Sequence, residues 1–296
     1  MASLFASQQD LKADISLMLP SYLNVTAKDL GKGTPVKVRI LGDMMSLGRD
    51  LAENLKAEIV AADRERRGAT FIIPVGPVDQ YPLLAKMLNE ERISCRNVVF
   101  IGMDEYLDEK DAWLPIDHPL SFRGYLKRMF YDRLDAAITP PQEHRIFPDP
   151  EDVSAVSKLI AARGGIDICY GGIGINGHVA FNEPPQPQAR MTVEAFAGLP
   201  TRKLDLSCET RTINSVTVGG EISVIPRRAV TVGMKEILGA RRLRLYCNRP
   251  WQSSVARRVL HGPIEPACPA SLMRLHSDAM LTVADYVAAP PEIKLR

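Results

Sequence analysis

Residues 36–42 read VKVRILG, 70–76 TFIIPVG, 97–102 NVVFIG and 166–172 IDICYGG, and the recurrence of these runs decides the fold. Each is short and almost continuously apolar, the pattern of a strand buried on both faces. Between the runs the apolar residues switch to helical spacing: Leu47, Leu51, Leu55 and Ile59, then Leu83, Leu84, Met87 and Leu88, then Phe122, Leu126, Met129 and Phe130, then Val153, Val156 and Ile160. Buried strands separated by helices imply a parallel sheet, because each crossover helix packs back on one face. Three more runs, AVTVG at 229–233, RLRLYC at 242–247 and MLTVAD at 280–285, bring the count to about seven strands in one sheet. The expected fold is α/β: a three-layer α/β/α, Rossmann-like arrangement around a mostly parallel sheet.

Working outward, residues up to about Gly33 are polar, lack a strong period and end in GKGTP. Residues 1–35 are therefore expected as an N-terminal extension and 36–296 as a single α/β domain. The stretch from Pro184 to about Ser215, with PPQPQ at its head, reads as a long irregular loop of the kind that forms a lid or binding element.

Composition narrows the function. Apolar residues make up 46% and charged residues 24% of 296, and 37 basic against 35 acidic side chains leave a net charge of +2. Such a balance, without a long basic run, offers little to nucleic acid or to an anionic membrane. No run approaches a membrane span and the N-terminus lacks a secretory pattern, so a cytoplasmic protein is expected. The five cysteines, Cys95, Cys169, Cys208, Cys247 and Cys268, are scattered and show no metal-finger spacing.

Ligands of open parallel sheets bind beyond the carboxyl ends of the strands. Three such ends carry chemistry: Val75-Gly76-Pro77-Val78-Asp79, Met103-Asp104-Glu105-Tyr106, and GGIGINGHVAFNEPP at 171–185. Gly172, Gly174 and Gly177 match the dinucleotide fingerprint literally, but Pro184 and Pro185 stop the helix it needs, and Ala197 stands where its acidic residue belongs. The glycines read instead as positions where the backbone approaches a smaller ligand. His178 and Glu183 suit a proton-transfer group and its orienting partner, or equally a structural histidine beside a solvated carboxylate. Asp104 suits a desolvated general base or a helix cap.

Taken together, MDEY at 103–106, DHPLSFRGYLKRMFY at 117–131, GHVAFNEP at 177–184, ETRTINS at 209–215 and AVTVGMKEIL at 229–238 resemble the glucosamine-6-phosphate deaminase (isomerase) family, which is related to the 6-phosphogluconolactonases. The resemblance implies an amino-sugar deaminase/isomerase of carbohydrate metabolism, without metal or organic cofactor, acting on a small sugar and commonly a homo-oligomer. It makes Asp104 the base that moves a proton between C2 and C1, His178 the group that assists ring opening, and Glu183 and Asn176 its supports. Gly76, Asp79, Glu105, Gly172, Gly174 and Gly177 become the expected substrate contacts.

The departures from that family cluster. Asn176 stands where an aspartate is usual, the phosphate turn has become Val75-Gly76-Pro77-Val78-Asp79, and the phosphate-binding arginine and lysine positions hold Val216 and Gln252. Arg190, Arg202 and Arg249 are the remaining candidates for an anion site. An insertion, LDEKDAWLPID at 107–117, carries Trp113. These changes predict a substrate that differs at the phosphate end. They leave open a lactonase or deglycase on the same fold, and a sugar-binding protein without catalysis.

Overall fold

The computed structural model describes residues 19–65, 67–76 and 80–294. In chain order the strands are β1 (Lys37–Leu41), β2 (Ala69–Ile73), β3 (Val98–Gly102), β4 (Asp104–Leu107), β5 (Arg145–Ile146), β6 (Ile168–Gly172), β7 (Arg202–Asp205), β8 (Arg228–Thr231), β9 (Arg242–Cys247) and β10 (Ala279–Ala284). The helices are α1 (Met44–Arg64), α2 (Gln80–Glu90), α3 (Phe122–Met129), α4 (Ala155–Ala162), α5 (Val193–Ala197), α6 (Cys208–Ser215), α7 (Met234–Leu238), α8 (Gln252–His261) and α9 (Asp285–Ala288).

Among the described residues, seven parallel strands form one sheet in the order β1-β10-β9-β6-β2-β3-β5, with helices around it. From β2 the chain builds outward through β3 and β5, then returns to the other side of β2 with β6 and continues through β9 and β10. The reversal between β2 and β6 is the topological switch point, where strand ends splay and leave a crevice.

Local chemistry explains the framework. Asp43 caps α1 by accepting from the Ser46 amide at 2.7 Å. Leu47, Leu51, Leu55 and Ile59 then lie on one stripe, each almost wholly buried. Burying each such side chain contributes about 1.5–3 kcal/mol. Strands β2 and β3 are buried at every position, as the continuous apolar runs predicted.

Two corrections concern the strands. AVTVG does not join the main sheet: its residues 229–231 fall in β8, the centre of an antiparallel three-stranded sheet β4-β8-β7. The seventh parallel strand is instead the two-residue β5, too short to show a periodicity. Residues 184–215 are not an irregular loop either, since they hold α5, β7 and α6. Their apolar content is thin because the small sheet has an exposed side: Arg202–Asp205 alternates between half-buried and exposed.

The described part of the N-terminal segment packs on α8. Arg257, fully buried, donates Nε to the Val25 carbonyl at 2.9 Å, and the Gly31 amide donates to His261 Nε2 at 3.0 Å.

Candidate functional site

Three strand ends converge at the switch point: residues 74–76 after β2, Asp104 after β3, and the glycine loop after β6. Between β3 and β4 only Met103 intervenes, tied by its amide to the Ile73 carbonyl at 3.0 Å and by its carbonyl to the Val232 amide at 2.8 Å. Asp104 therefore begins the small sheet where the main sheet ends.

Residues directly opposite one another in a ladder project to the same face. Asp104 pairs with Thr231, and Thr231 pairs with Arg202. The glycine loop docks on that shared face: Thr231 Oγ1 accepts from the Phe181 amide at 3.0 Å, and Arg202 Nη1 donates to Asn182 Oδ1 at 2.7 Å. The Phe181 ring packs against Tyr106 and Phe122, with centroids 5.4 and 6.0 Å away. Sheet and aromatic cluster thus hold the Asp104 segment and the His178 loop together.

Asp104 is 8% exposed, and among the described residues no group donates a hydrogen bond to its carboxylate. Burial, with the neighbouring Glu105 charge second, pushes its pKa up to about 8.

His178 is equally buried, and its hydrogen bonds determine its tautomer. Glu183 accepts from Asn176 Nδ2 at 2.7 Å, which forces the amide oxygen of Asn176 toward the imidazole. That oxygen lies 2.9 Å from His178 Nδ1. Nδ1 must therefore carry the proton, and Nε2 presents a bare lone pair. Thr210 Oγ1 lies 3.1 Å from Nδ1 on another side, and the Ser207 amide donates to Glu183 Oε1 at 3.2 Å. The direct distance from Nδ1 to Glu183 Oε2 is 3.8 Å, so the carboxylate reaches the ring through the Asn176 amide. Burial lowers the His178 pKa, and the Glu183 charge opposes that shift.

The glycines divide. A Cβ on Gly174 would sit 2.0 Å from His178 Nε2, so the ring lies flat against that position only because it has no side chain. Gly177 adopts φ +90° and closes on Cys268, whose Sγ would be 2.7 Å from a Cβ. Gly172 and Gly76 make no comparably close approach. Asp79 lies outside the described residues.

Glu105 is placed differently from expectation. Wholly buried, it accepts from the amides of Tyr106, Phe122 and Arg123 at 2.9, 3.0 and 2.9 Å and from Ser121 Oγ at 2.8 Å. Its acceptor positions are filled by the adjacent Tyr106 amide and by three donors at the start of α3, so it anchors that helix rather than meeting substrate.

At the expected phosphate end, Gln252 is engaged on both sides, donating to the Ile173 carbonyl and accepting from the Arg249 amide, each at 2.7 Å. Val216 is 69% exposed. Arg249 is exposed and reaches the Met44 sulfur, Arg202 is engaged with Asn182, and Arg190 is exposed. These three arginines thus have different surroundings.

Sequence reasoning did not single out Ser207, Thr210 or Thr231. Ser207 had a readable signal, since Ser-x-x-Thr opens α6 and Ser207 Oγ caps it by accepting from the Thr210 amide at 3.1 Å. Contact of that cap with Glu183 and His178 is set by tertiary packing.

No family model matches the chain. It is 30% identical over 229 residues to glucosamine-6-phosphate deaminase of Porphyromonas gingivalis, covering 75% of this chain and 80% of that protein. It is 31% identical over 225 residues to the glucosamine-6-phosphate deaminase of Streptomyces avermitilis, covering 74% and 78%. A solved structure described as a monomeric glucosamine-6-phosphate deaminase superposes with a TM-score of 0.72 at 26% identity, covering 86% of this chain and 99% of that one. The 6-phosphogluconolactonase of Thermotoga maritima shares the fold, with a TM-score of 0.58 at 14% identity and coverage of 84% and 100%.

Proposed function

Because this chain belongs to the glucosamine-6-phosphate deaminase family, we propose that it converts an amino sugar to a ketose and ammonia, with recognition altered at the phosphate end. The observation that carries the reading is the Asp104 carboxylate, buried at a strand end with no hydrogen-bond donor among the described residues. A carboxylate in that setting favours a cationic partner, and the C2 ammonium of an amino sugar supplies one. Its approach draws the pKa down and leaves Asp104 ionised beside C2.

In this mechanism His178 Nε2 accepts the proton of the anomeric hydroxyl and returns it to the ring oxygen, opening the ring. The Asn176 oxygen steadies the Nδ1 proton throughout, and Glu183 steadies Asn176. Asp104 then removes the C2 proton while the C2 ammonium gives up a proton and the C1 oxygen gains one, forming an enolamine, and Asp104 delivers its proton to C1. The double bond shifts to C2=N, water adds to that imine, and ammonia departs to leave the ketose. An amide at position 176 orients the imidazole but does not offset imidazolium charge as a carboxylate does.

Val216 and the doubly engaged Gln252 support a substrate without the usual 6-phosphate contacts. Each lost charge-assisted hydrogen bond is worth about 1.5–3 kcal/mol. Residues 1–35 as an extension of a single sugar-processing domain, a cytoplasmic location and self-association are parts of the same reading. No helix among the described residues is long and apolar enough to cross a membrane.

The test is incubation with glucosamine and with glucosamine 6-phosphate, following ammonia and ketose together. Equal yields of both products from either sugar support deamination, and preference for the unphosphorylated sugar supports the altered phosphate end. Binding of either sugar with neither product would make the protein a sugar-binding protein without catalysis.

A further inference from the structure

Next to the β5 edge lies a second concavity, of about 220 Å³, lined by the Trp113, Tyr131 and Phe147 rings and by Arg123, Lys127 and Arg145. The inserted loop that follows β4 supplies Trp113, whose Nε1 donates to the Pro148 carbonyl at 2.9 Å and so fixes the indole. Two guanidiniums lie over rings, Arg123 at 4.2 Å from the Trp113 centroid and Arg145 at 4.9 Å from that of Tyr131.

The lining has a one-sided charge, with three cations and no carboxylate. Lys127 pairs with Asp132 at 2.5 Å, and Arg123 Nε stands 3.5 Å from Glu105. Arg145 gives Nε and Nη2 to the Pro140 carbonyl at 2.9 and 2.7 Å and meets no carboxylate among the described residues. The Tyr131 hydroxyl, on a residue only 5% exposed, has no hydrogen-bond partner among the described residues.

We infer that this cavity is a binding site, separate from the amino-sugar site, for a small organic anion in which one flat ring carries a carboxylate or phosphate. The rings offer faces for offset or edge packing. Stacked guanidiniums present planar forks that match such acid groups. The volume lies below that of drug-sized pockets and limits the ligand to about one ring. Asp104, Asn176, His178 and Glu183 are all absent from the lining.

Calorimetric titration of the full chain with benzoate, phenyl phosphate and benzyl alcohol tests the assignment. Saturable binding of either anion is expected, with the responding anion identifying the acid group. Benzyl alcohol should bind at least about tenfold more weakly, equivalent to ~1.4 kcal/mol. Arg145→Met should weaken the anion by a similar factor and His178→Ala should leave it unchanged. If Arg145→Met does not fold, Lys127→Met, on a half-exposed side chain, carries the same comparison. Absence of binding by both anions, equal binding of the alcohol, or loss of binding on His178→Ala with none on the cavity variants would overturn the inference.

Discussion

The side-chain oxygen of Asn176 lies 2.9 Å from Nδ1 of His178, and the orientation of that amide is fixed from its other end by Glu183. One neutral side chain thereby sets which imidazole nitrogen is free. Asn176→Asp places a second carboxylate beside Glu183 and next to the ring. The added charge should raise the His178 pKa, followed by NMR titration of the imidazole. Asn176→Ala removes the orientation and should lower turnover about tenfold or more. An unmoved His178 pKa in the aspartate variant would contradict this role.

Asp104→Asn bears on stability as well as chemistry. Burial pushes the folded carboxyl up to about 8, while an unfolded one titrates near 4. Between those values the folded chain keeps a proton that the unfolded chain has released, so stability is lost as pH rises through that window. Asparagine does not titrate. The melting temperature of the variant relative to wild type should therefore climb between pH 5 and pH 8.5, by an amount corresponding to a few kcal/mol, on the order of the shift at 1.36 kcal/mol per unit. A pH-independent difference would show that the carboxyl is not held protonated.

Glu105→Ala leaves the Ser121 hydroxyl, two amides at the start of α3 and the Tyr106 amide of β4 without their acceptor. Unsatisfied buried donors cost about 1–3 kcal/mol each. Chemical denaturation should show a loss of at least about 3 kcal/mol, and Ser121→Ala a smaller loss of about 1 kcal/mol from the cap. Stability within about 0.5 kcal/mol of wild type would return Glu105 to the list of substrate contacts.

Gly174→Ala should abolish activity with little loss of fold. The new methyl would occupy the space of the His178 ring, 2.0 Å from Nε2, and the ring would have to leave its hydrogen bonds to Asn176 and Thr210. Retained turnover would mean that the imidazole does not work from this position.

The main sheet was legible because β2, β3 and β6 are apolar on both faces, a pattern that only a covered parallel sheet explains. The small sheet was not. Asp104–Leu107 reads as a polar tail to β3, and its burial depends on β8 and on Phe181, distant in sequence. The site was legible as single residues, Asp104 and His178, each at a strand end. Its wiring was not, because Asn176 reaches Glu183 through a turn that Gly177 permits, while Ser207 and Thr210 arrive from α6. Glu105 shows the opposite failure: the family resemblance made it an expected substrate contact, but alternation along β4 turns it to the other face, toward α3.

Most direct for the central claim is parallel measurement of ammonia release from glucosamine and glucosamine 6-phosphate by the wild-type chain and by Asp104→Asn. The wild type should release ammonia with an equal amount of ketose from at least one of the two sugars. The variant, folded as judged by its melting transition, should do so at least about a hundredfold more slowly, as expected for loss of a general base. Undiminished ammonia release by Asp104→Asn, or sugar binding by the wild type with no ammonia at all, would contradict the account.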